Sequence, residues 1–170
     1  MIELVTREVI LPLRHKVLRP NLPADSAKYA EDSHPEIFHL ADRDDDGAII
    51  ACVTFLPQPI DGEAAWRFRG MATAAAHRNR GVGGRLLEEG IAEAARRGGK
   101  VVWCNGRSAA TGFYQRHGFV IRGEEFELPP VGRHFVFVRQ FLVPAVRSQP
   151  VDVARSVDVA RSVEGLSWRG

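Results

Sequence analysis

Cysteine is scarce. Cys52 and Cys104 are the two among 170 residues, each inside an apolar run, AIIACVTFL and KVVWCN. That number and spacing exclude a disulfide framework and give no metal-site pattern, and predict buried free thiols in a reducing compartment. Long apolar runs are also missing: no window approaches the ~20 residues of a membrane span. The N-terminal MIELVTREVILPLRHK has no basic start followed by a long apolar stretch, so no signal peptide is expected. Charge of one sign is not in excess. Against 23 basic residues stand 21 acidic ones, a net of +2, and bulk charge gives no reason to expect nucleic-acid binding. What remains is the profile of a cytoplasmic protein. With 45% apolar and 26% charged residues, it is long enough for one domain with a sizeable core.

Apolar patterning places the elements. Ile2 to Val5 reads as an opening strand, and Thr6 as N-cap of a helix carrying Val9, Ile10, Leu13 and Val17, which Pro12 either kinks or delays. After the proline-marked loop Arg19 to Ser26, a short helix is expected through Ala27 to Ala30. Glu36 to Ala41 and Ala48 to Leu56 read as strands joined by the turn DRDDDG, with Asp44 to Asp46 a solvated tip. Ala65 to Thr73 is a further strand in which Gly70 suggests a bulge or a close backbone approach. Gly83 to Arg97 is the clearest helix, stopped by Gly98-Gly99, and Lys100 to Cys104 looks like a buried parallel strand. Ser108 is expected to cap a brief helix ending at His117-Gly118, and Phe119 to Leu128 with His134 to Phe141 form a last strand pair. The order is α/β with a mixed sheet. Residues 1–147 form the domain. Residues 148–170 form a tail in which VDVARS occurs twice, at Val151 to Ser156 and Val157 to Ser162, read as a loosely held extension or an added strand.

The chemically loaded stretch is HRNRGVGGR, His77 to Arg85. It lies between a strand and the best helix, where unpaired N–H groups and the helix dipole favour an anion. Gly81, Gly83 and Gly84 let that anion approach the backbone, and Arg78, Arg80 and Arg85 supply donors. A dinucleotide fingerprint fails because its third glycine position is Leu86, with no acidic residue at the end of the next strand. A P-loop fails for want of a Lys-Ser/Thr pair. A solvated basic turn is the plainer alternative, and the interleaving of three arginines with three glycines argues against it.

MATAAAHRNRGVGGRLL, with Arg78, Gly81 and Gly83, resembles the acyl-CoA motif R/Q-x-x-G-x-G/A of the GNAT N-acetyltransferase superfamily. RGMAT before it is similar to the strand leading into that motif. WCNGRSAATGFYQRHGF, Trp103 to Phe119, resembles the second signature. The resemblance runs from about Ile2 to Phe141 and excludes the repeat tail. It implies an α/β fold with a mixed, splayed sheet of about six or seven strands flanked by helices. It further implies acetyl-CoA as co-substrate, no metal, and transfer of an acetyl group to a primary amine.

By the same resemblance, the CoA pyrophosphate sits on the N–H groups of Arg80, Gly81, Val82, Gly83, Gly84 and Arg85, beside Arg78. Pantetheine runs along Met71, Ala72 and Thr73 in the gap between splayed strands. Gly70 opens that gap and frees an N–H to polarise the thioester carbonyl. Tyr114 is the general acid for the CoA thiolate, with a phenol pKa near ~10 suited to that task, against its alternative as a core aromatic beside Phe113. Asn105 is either a pantetheine or helix contact or a strand-end cap, and Arg107 a structural or phosphate contact. No general base is singled out from His34, His39, Asp61 and Glu63; His77 and His117 read as exposed turn residues. The acceptor is a small or amino-acid-like amine, with a protein or peptide amine, or a non-catalytic acyl-CoA sensor, as alternatives. A monomer or homodimer is expected, with neither nucleic acid nor membrane as partner.

Overall fold

The computed structural model describes residues 1–141; the expected tail and its repeat lie outside them. Two helices cover opposite faces of one sheet, and the sequence shows why. In strand β3 (Ile49–Pro57) Ala51, Val53 and Phe55 point to one side, while Cys52 and Thr54 point to the other. The first set packs under helix α2 (Val82–Arg96) through Leu86, Leu87, Ile91 and Ala94. Helix α1 (Arg7–Leu18) covers Cys52 with Ile10 and Leu13. Gly90 lets α2 lie close to the sheet: a Cβ there would stand 2.1 Å from the Phe55 ring.

The other strands are β1 (Ile2–Val5), β2 (Phe38–Arg43), β4 (Trp66–Thr73), β5 (Val101–Arg107), β6 (Val120–Leu128) and β7 (Gly132–Gln140). They form one seven-stranded mixed sheet in the order β1-β2-β3-β4-β5-β7-β6. Helix α3 (Thr111–Arg116) follows β5. Neighbours pair antiparallel except β4 and β5, which are parallel and matched only at Trp66↔Val102 and Arg67↔Trp103. Beyond those two pairs the strands part. Cys52 and Cys104 are both buried and free, and among the described residues no helix is long and apolar enough to cross a membrane.

Three local expectations are corrected. Pro12 lies inside α1, which starts at Arg7, and the Thr6 hydroxyl makes no cap hydrogen bond. The helix expected through Ala27 to Ala30 is two 3₁₀ turns, Ala24–Ala27 and Ala30–Ser33. The reason is Asp32: its carboxylate accepts from Tyr29 N at 3.0 Å and from the buried Arg14 at 2.9 Å, which draws the segment down onto α1. Ser108 does not cap α3 with its hydroxyl; instead Thr111 Oγ1 donates to the Ser108 carbonyl at 2.7 Å.

Candidate functional site

The site is built where β4 and β5 diverge. Opposite Val53, β4 carries an extra residue: Cys52 pairs with Ala72 and Thr54 with Arg69, leaving Gly70 and Met71 in the bulge. The insertion switches the alternation of faces. Trp66 and Phe68 face α2 and Arg67 and Arg69 the other side, yet Met71 returns to the α2 core and Ala72 packs under α1. Gly70 holds φ at +62°, and a Cβ there would stand 2.8 Å from Arg14 Nε. The bulge therefore rests on a buried polar cluster that sequence reasoning missed. Arg14 donates to Asp32, to the Ala27 carbonyl and to Thr54 Oγ1, and Thr54 Oγ1 lies 2.8 Å from His39 Nδ1. An arginine in an amphipathic helix reads as solvated; only the fold shows that Arg14 is fully buried and ion-paired.

Two cavities adjoin at the divergence. The larger, about 630 Å³, is lined by Met71, Ala72 and Thr73 of β4, by Arg78, Gly81, Val82, Gly83 and Gly84, and by Phe113, Tyr114 and His117. The second, about 440 Å³, opens on the α1 face between β4 and β5 and is lined by Arg67, Arg69, Gly70, Asn105, Arg107 and His134, among others. Val17, Met71, Arg78 and Tyr114 belong to both. Gly81 caps α2 in the left-handed region, φ +75°, the conformation that frees the first N–H groups of the helix without a Cβ penalty. Gly83 packs against β4, where a Cβ would stand 3.0 Å from Met71 Cε.

The arginines of the loop divide. Arg78 is tethered by Nε to the Thr73 carbonyl at 3.2 Å and lines both cavities. Arg85 instead turns to Asp42, 3.6 Å away, and neither its side chain nor that of Arg80 lines the first cavity. Tyr114 reaches the divergence from α3. Its ring lies 4.4 Å from that of Phe137, and a Cβ on Gly106 would sit 2.3 Å from Tyr114 Cε2. Burial first, then the adjacent Cys104 thiol, push the phenol above the usual tyrosine range. The value near ~10 expected from sequence is thus too low, because the ring is sunk among aromatics rather than laid on the surface.

A GNAT acetyltransferase domain model matches residues 34–121. The uncharacterized N-acetyltransferase YitI of Bacillus subtilis (strain 168) is 35% identical over 141 residues, covering 81% of this chain and 94% of that protein. The chain belongs to the GNAT acetyltransferases. Solved structures share the fold. A Lactobacillus plantarum protein superposes with a TM-score of 0.72 at 20% identity, covering 84% of this chain and 98% of the other. An aminoglycoside 6′-N-acetyltransferase complexed with coenzyme A gives 0.68 at 16%, covering 82% and 96%.

This acetyltransferase uses acetyl-CoA. Its first cavity also holds residues that the motifs did not bring out. His117 is half-buried, not an exposed turn residue: Nδ1 is 2.9 Å from Glu88 Oε1, and Glu88 accepts from Arg139 Nη1 at 2.8 Å. That bridge ties α3 to α2 and β7, and the His117 ring abuts Gly84, where a Cβ would stand 2.7 Å from Nε2. Of the acceptor-side groups weighed from sequence, His34, His39, Asp61 and Glu63 line neither cavity. His134 lines the second. Its Nδ1 is 2.6 Å from the Gly132 carbonyl, which can only accept, so Nδ1 is the donor and Nε2 is the nitrogen not engaged by that bond. No spacing signal in the sequence brings His134 of β7 to Asn105 and Arg107 of β5; the register Arg107↔His134 does.

Proposed function

We propose that this acetyltransferase moves an acetyl group from acetyl-CoA to the primary amine of a small molecule by direct attack, with Tyr114 as general acid. The observation that carries the reading is the junction of two cavities at Met71 and Tyr114, in the gap opened by the Gly70 bulge. One cavity ends on the glycine-rich start of α2, suited to a pyrophosphate, and the other has a volume suited to a small ligand.

In this reading the backbone N–H groups from Arg80 to Arg85 and the Arg78 guanidinium hold the CoA phosphates. Met71, Ala72 and Thr73 flank the pantetheine, and Asn105 faces the same gap from β5. The acceptor nitrogen attacks the thioester carbon from the second cavity, the C–S bond breaks, and the thiolate takes the Tyr114 proton. The proton lost by the amine leaves into the second cavity, whose described lining contains one imidazole, His134. A partly buried phenol whose pKa is raised suits the role, since it arrives with its proton in place.

Tyr114→Phe keeps the ring and removes only the hydroxyl. It should lower kcat by about 10²- to 10³-fold while leaving acetyl-CoA affinity within about twofold. Unchanged kcat refutes the acid role. Tight acetyl-CoA binding by wild type with no transfer to any amine favours the sensor reading instead.

A further inference from the structure

The second cavity is cationic. Arg19, Arg67, Arg69, Arg78 and Arg107 line it, and no Asp or Glu does among the described residues. Arg78 also lines the first cavity and is accounted for by CoA phosphates. Arg67, Arg69 and Arg107 line only the second, and a phosphate bound at the start of α2 leaves them unexplained.

Their placement follows from the sheet. Arg67 and Arg69 alternate with the core residues Trp66 and Phe68 on β4. Arg107 and Asn105 alternate likewise with Cys104 and Gly106 on β5. Both pairs project from the α1 face at the point where the strands part. Arg69 has a local counter-charge: it pairs with Glu31 at 2.7 Å and lies 3.7 Å above the Tyr29 ring. Arg67 makes no ion pair among the described residues, and Glu31 acts on it only from a distance while paired to Arg69. Arg67 donates from Nη1 to the neutral Gln58 Oε1 at 3.1 Å, stacks 4.7 Å above Trp103, and keeps a buried Nε without a protein partner. Burial, then the Arg69 charge, hold its pKa below the ordinary arginine value, against a smaller opposing effect of Glu31. Arg107 has no carboxylate partner among the described residues either. An anion in this cavity compensates the partly buried Arg67 and gains charge-assisted hydrogen bonds from it and from the exposed Arg107; a polycationic acceptor meets repulsion.

We propose that the acceptor is a small primary amine that carries a carboxylate, seated on Arg67 and Arg107 with its amine toward Tyr114. The inference rests on the acetyltransferase reading above and names its substrate class.

The test compares acceptors of one skeleton: an amino acid, its amide, the decarboxylated amine and the matching aminophosphonate. kcat/KM is measured at saturating acetyl-CoA, and binding to the CoA-loaded protein by calorimetry. The amino acid should lead its amide and the decarboxylated amine by about 10- to 100-fold, the scale of a charge-assisted hydrogen-bond pair. Arg67→Gln and, independently, Arg107→Gln should each erase most of that lead by raising KM for the amino acid. Arg107 is exposed and its side chain makes no hydrogen bond or ion pair among the described residues, so its variant serves if Arg67→Gln misfolds. Equal or better turnover of the amide or the decarboxylated amine overturns the proposal. So does an aminophosphonate that outruns the amino acid, or a carboxylate preference that survives both substitutions. Carboxylate binding that depends on Arg67, with no acetyl transfer to any acceptor, keeps the anion site and sinks the acetyltransferase reading. Transfer to amines irrespective of the carboxylate does the reverse.

Discussion

Gly106→Ala tests the placement of Tyr114 without touching it. Gly106 lies on β5 directly beneath the ring, and the added Cβ would stand 2.3 Å from Tyr114 Cε2 and 2.7 Å from Phe137 Cδ2. Ordinary carbon–carbon contact is about 3.5 Å, so Tyr114 has to retreat by roughly 1 Å. Phe137 is fully buried beside it and cannot absorb the difference. Misplacing a reacting group by about 1 Å costs on the order of 10² in rate, and overpacking a core costs about 1–3 kcal/mol of stability. The expected variant folds with a lowered Tm, binds acetyl-CoA within about threefold of wild type, and loses about 100-fold in kcat. Thermal unfolding, acetyl-CoA titration and thiol release with the best acceptor measure the three quantities. A kcat within about twofold of wild type refutes the claim that the hydroxyl's position in the gap governs the reaction. It would also return Tyr114 to the role of a core aromatic.

Gly83→Asp puts a carboxylate at the start of α2, where an anion is expected, and its Cβ meets only the flexible end of Met71 at 3.0 Å and Thr73 Oγ1 at 3.3 Å. Acetyl-CoA affinity should fall by at least about 100-fold with the fold retained; normal affinity by calorimetry would place the phosphates elsewhere. Because burial and Cys104 raise the Tyr114 phenol, wild-type kcat should show no loss from its deprotonation up to about pH 9. An alkaline fall near pH 8–9 that disappears in Tyr114→Phe contradicts that. His39 is shifted the other way: burial, then Arg14, lower its pKa. The unfolded chain therefore takes up a proton near pH 6.5 that the folded protein refuses, so stability present at pH 7 declines as pH falls below that value. His39→Asn should lose less Tm than wild type between pH 7 and pH 5, and an equal loss would show that His39 does not contribute to the acid sensitivity.

How far the sequence reached depends on the range over which its signals act. A glycine inside β4 pointed to a bulge or a close backbone approach, and the register decided for the bulge; α2 was legible because Leu87, Ile91 and Ala94 recur on one face between glycine stops. The apolar run after a helix marked β5 as a buried strand parallel to β4, but not its longer antiparallel pairing with β7. Arg14 was not legible, since its burial depends on Asp32, Thr54 and Ala27 converging on it from three separate segments. The partner of the Arg85 side chain was not legible for the same reason: only the fold brings Asp42 of β2 within 3.6 Å of it. His117 and Glu88 stand 29 residues apart and meet only because α3 returns against α2.

By itself the sequence determined the order of elements, the two free thiols, the glycine-rich helix start and the membership of a CoA-dependent family, because each is written in local pattern. Tertiary structure alone decided where the paired end of β4 and β5 stops, and so where two cavities join. It also decided which arginines remain without carboxylates around that junction. Those facts depend on strand register and on side chains from distant segments occupying one low-dielectric space. There a charge is compensated or left for a ligand according to what the fold happens to place beside it.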